Sequence, residues 1–275
     1  MHEARSTHDA REALDRAGAF LARDPVANNV VLTLLGQRPE PGRYWWVTDL
    51  AADDAVVGFA MQSPSTLPAL VASAPAEVLD ALVDRMALEV PDLPGVSGVA
   101  SVAAAFAGRW ATTRRVPARP VEAERVHVLG PLVAPPTVPG SVRQAGADDV
   151  DVVARWMVAF GADTHMTTPS DPTAWARARV GADLVRLWDD GGPVSMAVLV
   201  GRAAGFARIG YVFTPANDRG HGYAAAVVAA LADEVVSASD ERCLLVTQLS
   251  NPTANALYDR LGFEPVVEVL RYSFG

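Results

Sequence analysis

Arg219-Gly220-His221-Gly222-Tyr223-Ala224 joins a predicted strand at 206 to 214 to a predicted alanine-rich helix at 221 to 237. The first N–H groups of a helix have no partner inside it, and the helix dipole makes that end electropositive. Glycine at positions 220 and 222 lets the backbone approach a ligand closely. This segment, called the cradle below, is therefore predicted to bind a diphosphate through its main chain, with Arg219 adding positive charge.

The cradle has two other interpretations. One is a glycine-rich turn that joins strand to helix and binds nothing. The other is the dinucleotide fingerprint G-x-G-x-x-A, which Gly220 to Ala225 also matches. A dinucleotide site needs an acidic residue at the end of the next strand to bind ribose hydroxyls, whereas this chain reads Gln248-Leu249-Ser250 there. The sequence therefore favours another diphosphate-bearing ligand over NAD.

A second motif follows, from Asn251 to Phe263. Asn251 is a suitable N-cap, and Pro252 suits the first helical position. Gly262 fits a left-handed residue after the helix, with Phe263 closing the end by an apolar contact. The motif predicts a short helix at 252 to 261. Tyr258 lies about two turns beyond Asn251, so both residues are expected on roughly the same side of it.

Together the two motifs resemble the GNAT superfamily of N-acetyltransferases, and the resemblance covers residues 141 to 275. In more detail the chain looks like a tandem-type member with a degenerate first module. The resemblance implies direct transfer of an acetyl group from acetyl-CoA to a primary amine, without a covalent enzyme intermediate. It implies no metal.

The resemblance also assigns roles to individual residues. Tyr258 would protonate the departing thiolate, and an N–H near Phe213 would polarise the thioester carbonyl. The backbone of Val212 to Thr214 would pair with the pantetheine arm like an added strand, and Asn251 would contact the same arm. The residues implied in CoA binding are Val212, Phe213, Thr214, Arg219, Gly220, His221, Gly222, Tyr223, Ala224 and Asn251.

The general base is not assigned by the sequence. Many GNAT members carry a carboxylate on the strand before the cradle, where this chain offers Arg208 and Tyr211. Asp163 and His165, predicted in the loop between two helices, are candidates for relaying a proton from the substrate amine. The missing carboxylate keeps an alternative open, namely a catalytically inactive CoA-binding sensor or scaffold.

Residues 131–140 contain four prolines in ten residues, which excludes a helix or a central strand there. We predict a linker at 131–140 between a degenerate GNAT-like module at 1–130 and a catalytic domain at 141–275. The predicted class is α/β of the α+β type, each module being a mixed, mostly antiparallel twisted sheet flanked by helices. Both halves are predicted to run helix, helix, meander, helix, strand, helix, strand.

The individual elements are predicted from local patterns. Those of the first half are helices at 8 to 23, 26 to 36, 76 to 89 and 99 to 113, and strands at 44 to 48, 56 to 61, 70 to 74 and 125 to 129, with a Pro/Gly-rich passage after residue 89. Those of the second half are helices at 148 to 161, 172 to 180, 221 to 237 and 252 to 261, and strands at 141 to 145, 184 to 188, 194 to 201, 206 to 214, 243 to 248 and 266 to 274.

The first half is not expected to contain a second CoA site. At the position equivalent to the cradle it reads Ala72-Ser73-Ala74-Pro75-Ala76-Glu77. This segment has no glycine, and Glu77 would repel a phosphate group. We expect a structural role for this half, or a contribution to the acceptor pocket.

Composition narrows the possible partners. The formal net charge is −9, which argues against nucleic acid, because phosphate binding needs a basic face. No apolar run is long enough for a membrane span. A single cysteine, Cys243, excludes an internal disulfide and fits a reducing compartment. We expect a cytoplasmic protein that acts on a small-molecule amine or a peptide N-terminus, with a homo-oligomer possible.

Overall fold

The computed structural model describes residues 2–37 and 42–275. It has the predicted α/β class, with sheets that are mostly antiparallel. The chain forms two compact units. The first comprises Met1–Val126, Val246–Asn251 and Pro265–Gly275, and the second comprises His127–Leu245 and Pro252–Glu264.

The first unit contains five strands and four α-helices of the N-terminal half, together with the last strand of the chain. In chain order these are β1 His2–Thr7, α1 Ala10–Leu21, α2 Asn29–Gln37, β2 Arg43–Asp49, β3 Ala55–Gln62, β4 Ala69–Val71, α3 Leu79–Glu89, β5 Gly95–Val99, α4 Ala100–Arg114 and β12 Phe263–Phe274. The strand β6 Ala118–Leu129 leads from this unit into the second.

The sheet of the first unit has the order β1-β2-β3-β4-β5-β12. Its only parallel neighbours are β4 and β5, among the pairs formed by residues 2–37 and 42–275. Trp45, Phe106 and Trp110 are among the large side chains buried in its core. Such aromatic side chains bury a large area each, which makes them strong contributors to the stability of this unit.

The sequence prediction missed two strands of the first unit. β1 pairs with β2 in a region whose alternating charges give no apolar pattern. β5 lies within the Pro/Gly-rich passage, where it pairs with β4 and β12. Its glycines are required by packing, because a Cβ on Gly95 would lie 2.1 Å from the carbonyl oxygen of Tyr272. With β1 and β5 included, each half of the chain has the same order of elements: strand, two helices, three strands, helix, strand, helix, strand.

The second unit contains the elements around the cradle. They are β7 Ser141–Gln144, α5 Val150–Thr164, α6 Pro172–Gly181, β8 Val185–Asp189, β9 Pro193–Ala203, β10 Phe206–Phe213, α7 Tyr223–Ala238, β11 Arg242–Gln248 and α8 Pro252–Arg260. Their sheet has the order β11-β10-β9-β8-β7, in which only the β10–β11 pair is parallel among these described strands.

The two faces of this sheet carry separate cores. On one face, α7 and α8 cover Leu199, Ile209 and Leu245. On the other face, α5 and α6 cover Met196 and Val198. The small side chains of the alanine-rich α7 allow its backbone to approach the sheet closely, and its buried residues include Ala226, Val227, Ala229 and Ala232.

The Pro-rich segment 131–140 belongs to the second unit and does not act as a free linker. At its start, the amide of Gly130 donates to the carbonyl of Gly262, and that of Val133 donates to Leu261. At its end, the indole Nε1 of Trp188 donates to the carbonyl of Pro139 over 2.7 Å. The units therefore differ from the linear division at 131–140, because strands β6, β11 and β12 carry the chain across between them.

Within residues 2–37 and 42–275, no helix combines the length and the apolar character needed to cross a bilayer.

Candidate functional site

The cradle has the backbone geometry that its glycines predict. A 3-10 turn at Ala216–Asp218 follows β10, and α7 begins at Tyr223, two residues later than predicted. Gly220 and Gly222 have φ of +83° and +88°, a region that side-chain-bearing residues rarely adopt. A Cβ on Gly220 would meet nothing within 4 Å, so the space beside it is open. The first amides of α7 follow directly and have no partner inside the helix.

The back of the cradle is held in place by contacts from the second unit. The hydroxyl of Tyr223 donates to Asp190 over 2.6 Å, and this hydrogen bond raises the pKa of Tyr223. The imidazole of His221 stacks on the Tyr223 ring at 5.6 Å. A Cβ on Gly222 would lie 3.0 Å from a methyl group of Val138, in the Pro-rich segment. The contacts of Tyr223 therefore tie the start of α7 to Asp190, in the turn between β8 and β9.

Arg219 is tied to two neighbouring elements. Its Nε donates to the carbonyl of Thr214 over 2.9 Å, and its terminal nitrogen donates to Asp163 over 2.6 Å. Asp163 was predicted in a loop, but α5 continues to Thr164, so this carboxylate lies in the last turn of a helix. His165 is exposed and ends the helix with a φ of +56°. The structure thus brings Asp163 to the cradle as an ion-pair partner.

The strand β10 contains a bulge that the sequence analysis missed. Its register with β9 shifts between Gly210 and Phe213, and Tyr211 has a φ of +48°. Ile209 packs with α7 and α8, whereas Tyr211 and Phe213 pack with α5 and α6. A regular strand would place these three alternate residues on one face. Gly210 inside the strand was the available signal, since an isolated strand glycine often marks a bulge.

The end of β10 has a free backbone edge within the second unit. Its parallel pairing with β11 runs from Phe206 to Ile209 and stops there. On the other edge, the Ser195 hydroxyl donates to the carbonyl of Phe213 over 3.1 Å, so the Phe213 backbone faces β9. Val212 lies within the irregular segment between Gly210 and Phe213, beyond the last residue that pairs with β11. This arrangement suits the pairing that was predicted for Val212 to Thr214.

Tyr258 lies in α8 and is buried in the core that α7 and α8 form on the sheet. Its ring meets Phe263 edge-on at 6.0 Å. Burial raises the pKa of Tyr258 to about 12, so the phenol keeps its proton throughout the physiological range. Asn251 directly precedes α8, as predicted, and belongs to the first unit. Its backbone N–H donates to the backbone carbonyl of Gln248.

An aromatic group on the α5/α6 face was not predicted as a functional feature. Phe160 and Trp175 both meet the Tyr211 ring edge-on, at 5.5 and 5.0 Å between centroids. The guanidinium of Arg179 lies 4.1 Å from the centre of the Trp175 ring. We call Phe160, Trp175, Arg179 and Tyr211 the aromatic cluster. Sequence gave little signal for it, since its members are distant along the chain and meet through the bulge.

The segment of the first unit that corresponds to the cradle has a different structure. Ala76–Val78 forms a 3-10 turn before α3, and the amide of Ser73 donates to the side chain of Asn28 over 2.9 Å. An amide that could face a ligand is thus used internally. In the part of the chain that the structure describes, no group of His, Cys, Asp and Glu side chains is arranged to hold a metal ion.

Comparison with known proteins gives one family match by sequence. Residues 191–272 match the sequence model of the family described as FR47-like protein. This segment includes β9, β10, the cradle, α7, β11 and α8. No curated protein matches the chain.

Solved structures match nearly the whole chain. An acetyltransferase of the GNAT family from Colwellia psychrerythraea shares 11% identity over 99% of this chain and 100% of its own, with a TM-score of 0.65. A GCN5-related N-acetyltransferase from Sphaerobacter thermophilus shares 17% identity over 98% and 94%, with a TM-score of 0.62. A tandem GNAT protein from the clavulanic acid biosynthesis pathway shares 14% over 99% and 98%, with a TM-score of 0.60.

At these identities the structures establish the fold. The tandem GNAT protein matches over nearly its full length, as the prediction of a tandem-type chain requires. The FR47-like match covers both of the motifs from which the resemblance was drawn. The chain therefore has the fold of the GNAT acetyltransferases over nearly its whole length, and residues 191–272 match the FR47-like family.

Proposed function

We propose that this chain is an acetyl-CoA-dependent N-acetyltransferase with one active site, formed around the cradle of the second unit. The observation that carries the proposal is the juxtaposition of two elements. Gly220 and Gly222, with their positive φ, open α7 directly after the free edge of β10. A helix start of this kind binds phosphate oxygens through main-chain donors, and a free strand edge pairs with an amide-bearing arm. Acetyl-CoA carries both groups.

The cradle and β10 would hold the two ends of this substrate. Amides from Gly220 to Ala224 would bind the pyrophosphate, and Arg219 would add its charge. Val212 to Thr214 would pair with the pantetheine arm. The N–H of Val212 is the donor near Phe213 that we propose for the thioester carbonyl, because preorganised donors stabilise charge that develops on such an oxygen.

Bound acetyl-CoA supplies an activated acyl group, which an unprotonated primary amine accepts as the C–N bond forms and the C–S bond breaks. Tyr258 would give its phenolic proton to the departing sulfur. A pKa of about 12 makes full transfer to a free thiolate unfavourable by about 3.5 pK units, or about 5 kcal/mol. The phenol therefore works best as a hydrogen-bond donor to a sulfur that is also shielded from water, where the thiol pKa rises as well.

The proton of the acceptor amine has no carboxylate to receive it on β10, whose sequence is Phe-Ala-Arg-Ile-Gly-Tyr-Val-Phe. His165 stays the proposed relay, because Asp163 is paired with Arg219. A small amine or peptide N-terminus as acceptor, a cytoplasmic location and a homo-oligomer stay predictions from the sequence.

A thermal-shift titration with CoA, acetyl-CoA and NAD tests the ligand. Ligand at a hundred times its dissociation constant stabilises the folded state by about 2.7 kcal/mol. We expect stabilisation by both CoA compounds and none by NAD. Release of free thiol from acetyl-CoA in the presence of a panel of amines then tests turnover. Stabilisation by CoA without thiol release for any amine would favour a binding module over an enzyme, and stabilisation by NAD alone would overturn the proposal.

A further inference from the structure

The aromatic cluster occupies the α5/α6 face beside the end of β10. Tyr211 belongs to the bulge, and Phe213, two residues on, packs on the same face. Phe160, Trp175 and Tyr211 are each partly exposed, in contrast to the fully covered aromatic residues of a core. Three partly exposed rings in edge-on contact form an apolar surface, next to the strand segment proposed to hold the thioester.

Arg179 places a positive charge against this surface. Its guanidinium stacks on Trp175 and donates to the Trp175 carbonyl over 3.4 Å. The side chain is partly buried, and this burial lowers the pKa of Arg179. Among residues 2–37 and 42–275, no carboxylate lies within ion-pair distance of it, although the chain carries 32 acidic residues. A partly desolvated charge without a counterion is costly, and an anionic ligand removes that cost.

We propose that the aromatic cluster is the acceptor subsite, and that it selects a primary amine carrying a carboxylate group beside an aromatic or apolar side chain. The planar guanidinium of Arg179 binds the carboxylate in a bidentate manner, and Trp175 and Tyr211 contact the apolar side chain. This inference rests on the proposed N-acetyltransferase function. It narrows the acceptor to amino-acid-like amines and disfavours polyamines, whose second cation Arg179 would repel.

The test uses three amines that differ only in the group beside the amine: L-phenylalanine, L-phenylalaninamide and 2-phenylethylamine. Thiol release from acetyl-CoA gives kcat and KM for each amine, with the wild type and with Arg179→Gln, Arg179→Lys and Arg177→Gln. Arg177 is an exposed residue of the same helix and serves as the matched control. Melting temperatures of all variants check that they are folded.

We expect the wild type to prefer L-phenylalanine over its amide by about tenfold or more in kcat/KM. Arg179→Gln should raise the KM for L-phenylalanine by about tenfold while leaving the KM for acetyl-CoA and the kcat/KM of the two analogues without a carboxylate unchanged. Arg179→Lys should recover part of the loss, and Arg177→Gln should behave as the wild type. Equal use of the acid and the amide, or an equal loss for all three amines in Arg179→Gln, would overturn the subsite.

A binding measurement separates failure of the subsite from failure of the proposed function. If no amine releases thiol, calorimetric titration of the CoA-bound protein with L-phenylalanine still tests the subsite. Binding to the wild type that is at least tenfold weaker in Arg179→Gln would support the subsite in a protein without turnover. Lack of binding to the wild type would overturn it.

Discussion

Arg219 donates to Asp163 over 2.6 Å, so the cation of the cradle is already neutralised by an acid from the last turn of α5. Both side chains are about half exposed, at 53% and 51%. An exposed pair of this kind contributes only about 0.2–1 kcal/mol. A bound pyrophosphate would therefore compete with Asp163 for Arg219.

The substitution Asp163→Asn tests this relationship. Removing the carboxylate leaves the charge of Arg219 available to the ligand, so we expect the KM for acetyl-CoA to fall by about two- to fivefold at low salt. The gain should disappear near 1 M salt, where exposed charges are screened. The value of kcat should stay within about twofold. A large fall in kcat would instead identify Asp163 as the proton acceptor, and Asp151→Asn, at an exposed acid of the same helix, is the control.

The substitution Tyr258→Phe should lower kcat by about 10²- to 10⁴-fold, since proton donation by a positioned side chain contributes that much. The ring remains in place against Phe263, so the dissociation constant for acetyl-CoA should not change. Thiol release and calorimetry measure the two quantities. Tyr272→Phe, at a tyrosine of the first unit, is the matched control and should retain full activity.

Burial of Tyr258 also predicts how stability depends on pH. Its pKa is raised from 10.0 to about 12, so the folded state holds a proton that the unfolded state loses above pH 10. This contribution to stability is complete below pH 10 and is lost as the pH rises through 12. Between pH 9 and 11 the free energy of unfolding in urea should fall by about 1 kcal/mol more for the wild type than for Tyr258→Phe. If the difference in unfolding free energy between the two proteins is the same at pH 9 and pH 11, the phenol is not buried.

The two cradle glycines predict different effects of alanine. Gly220→Ala and Gly222→Ala both force a side chain into the left-handed region, at a cost of about 1–2 kcal/mol. Gly222→Ala should cost more, because its Cβ also lies 3.0 Å from Val138. Both should weaken CoA binding more than tenfold, measured by calorimetry.

Two further variants separate these causes. Adding Val138→Ala to Gly222→Ala should recover the part of the stability loss that comes from the close contact between the new Cβ and Val138. The part that comes from the left-handed backbone conformation should remain. Gly108→Ala, inside α4 with nothing within 4 Å, should stabilise by about 0.5–1 kcal/mol and leave CoA binding unchanged. Equal effects of Gly108→Ala and Gly222→Ala on stability and on CoA binding would contradict the positive φ of Gly222.

Most elements were predicted where their signals are local. The short helix α8 has Pro252 at its start and Gly262, with a φ of +91°, directly after its end region. The hairpin between β8 and β9 turns at Gly191 and Gly192, which both have positive φ. Such signals act through the conformational preferences of single residues, so they remain visible in the sequence.

The missed features depend on residues far apart along the chain. β1 becomes a strand by pairing with β2, and the edge-on contacts of Tyr211 exist because a bulge turns it towards α5 and α6. In both cases, the conformational preferences of the residues on either side of the contact do not indicate that the contact forms. The Pro-rich segment shows the same limit, since its composition indicates a linker while Pro139 and Val133 accept and donate hydrogen bonds within the second unit.

The sequence alone determined the two motifs and the residues of the cradle, because glycine, proline and capping residues fix backbone geometry locally. The tertiary structure decided the pairing of Arg219 with Asp163, the return of the last strand to β5 and the assembly of the aromatic cluster around Arg179. Each of these contacts joins residues that are far apart along the chain. Such contacts are determined by the packing of whole sheets and helices, which local conformational preferences do not reveal.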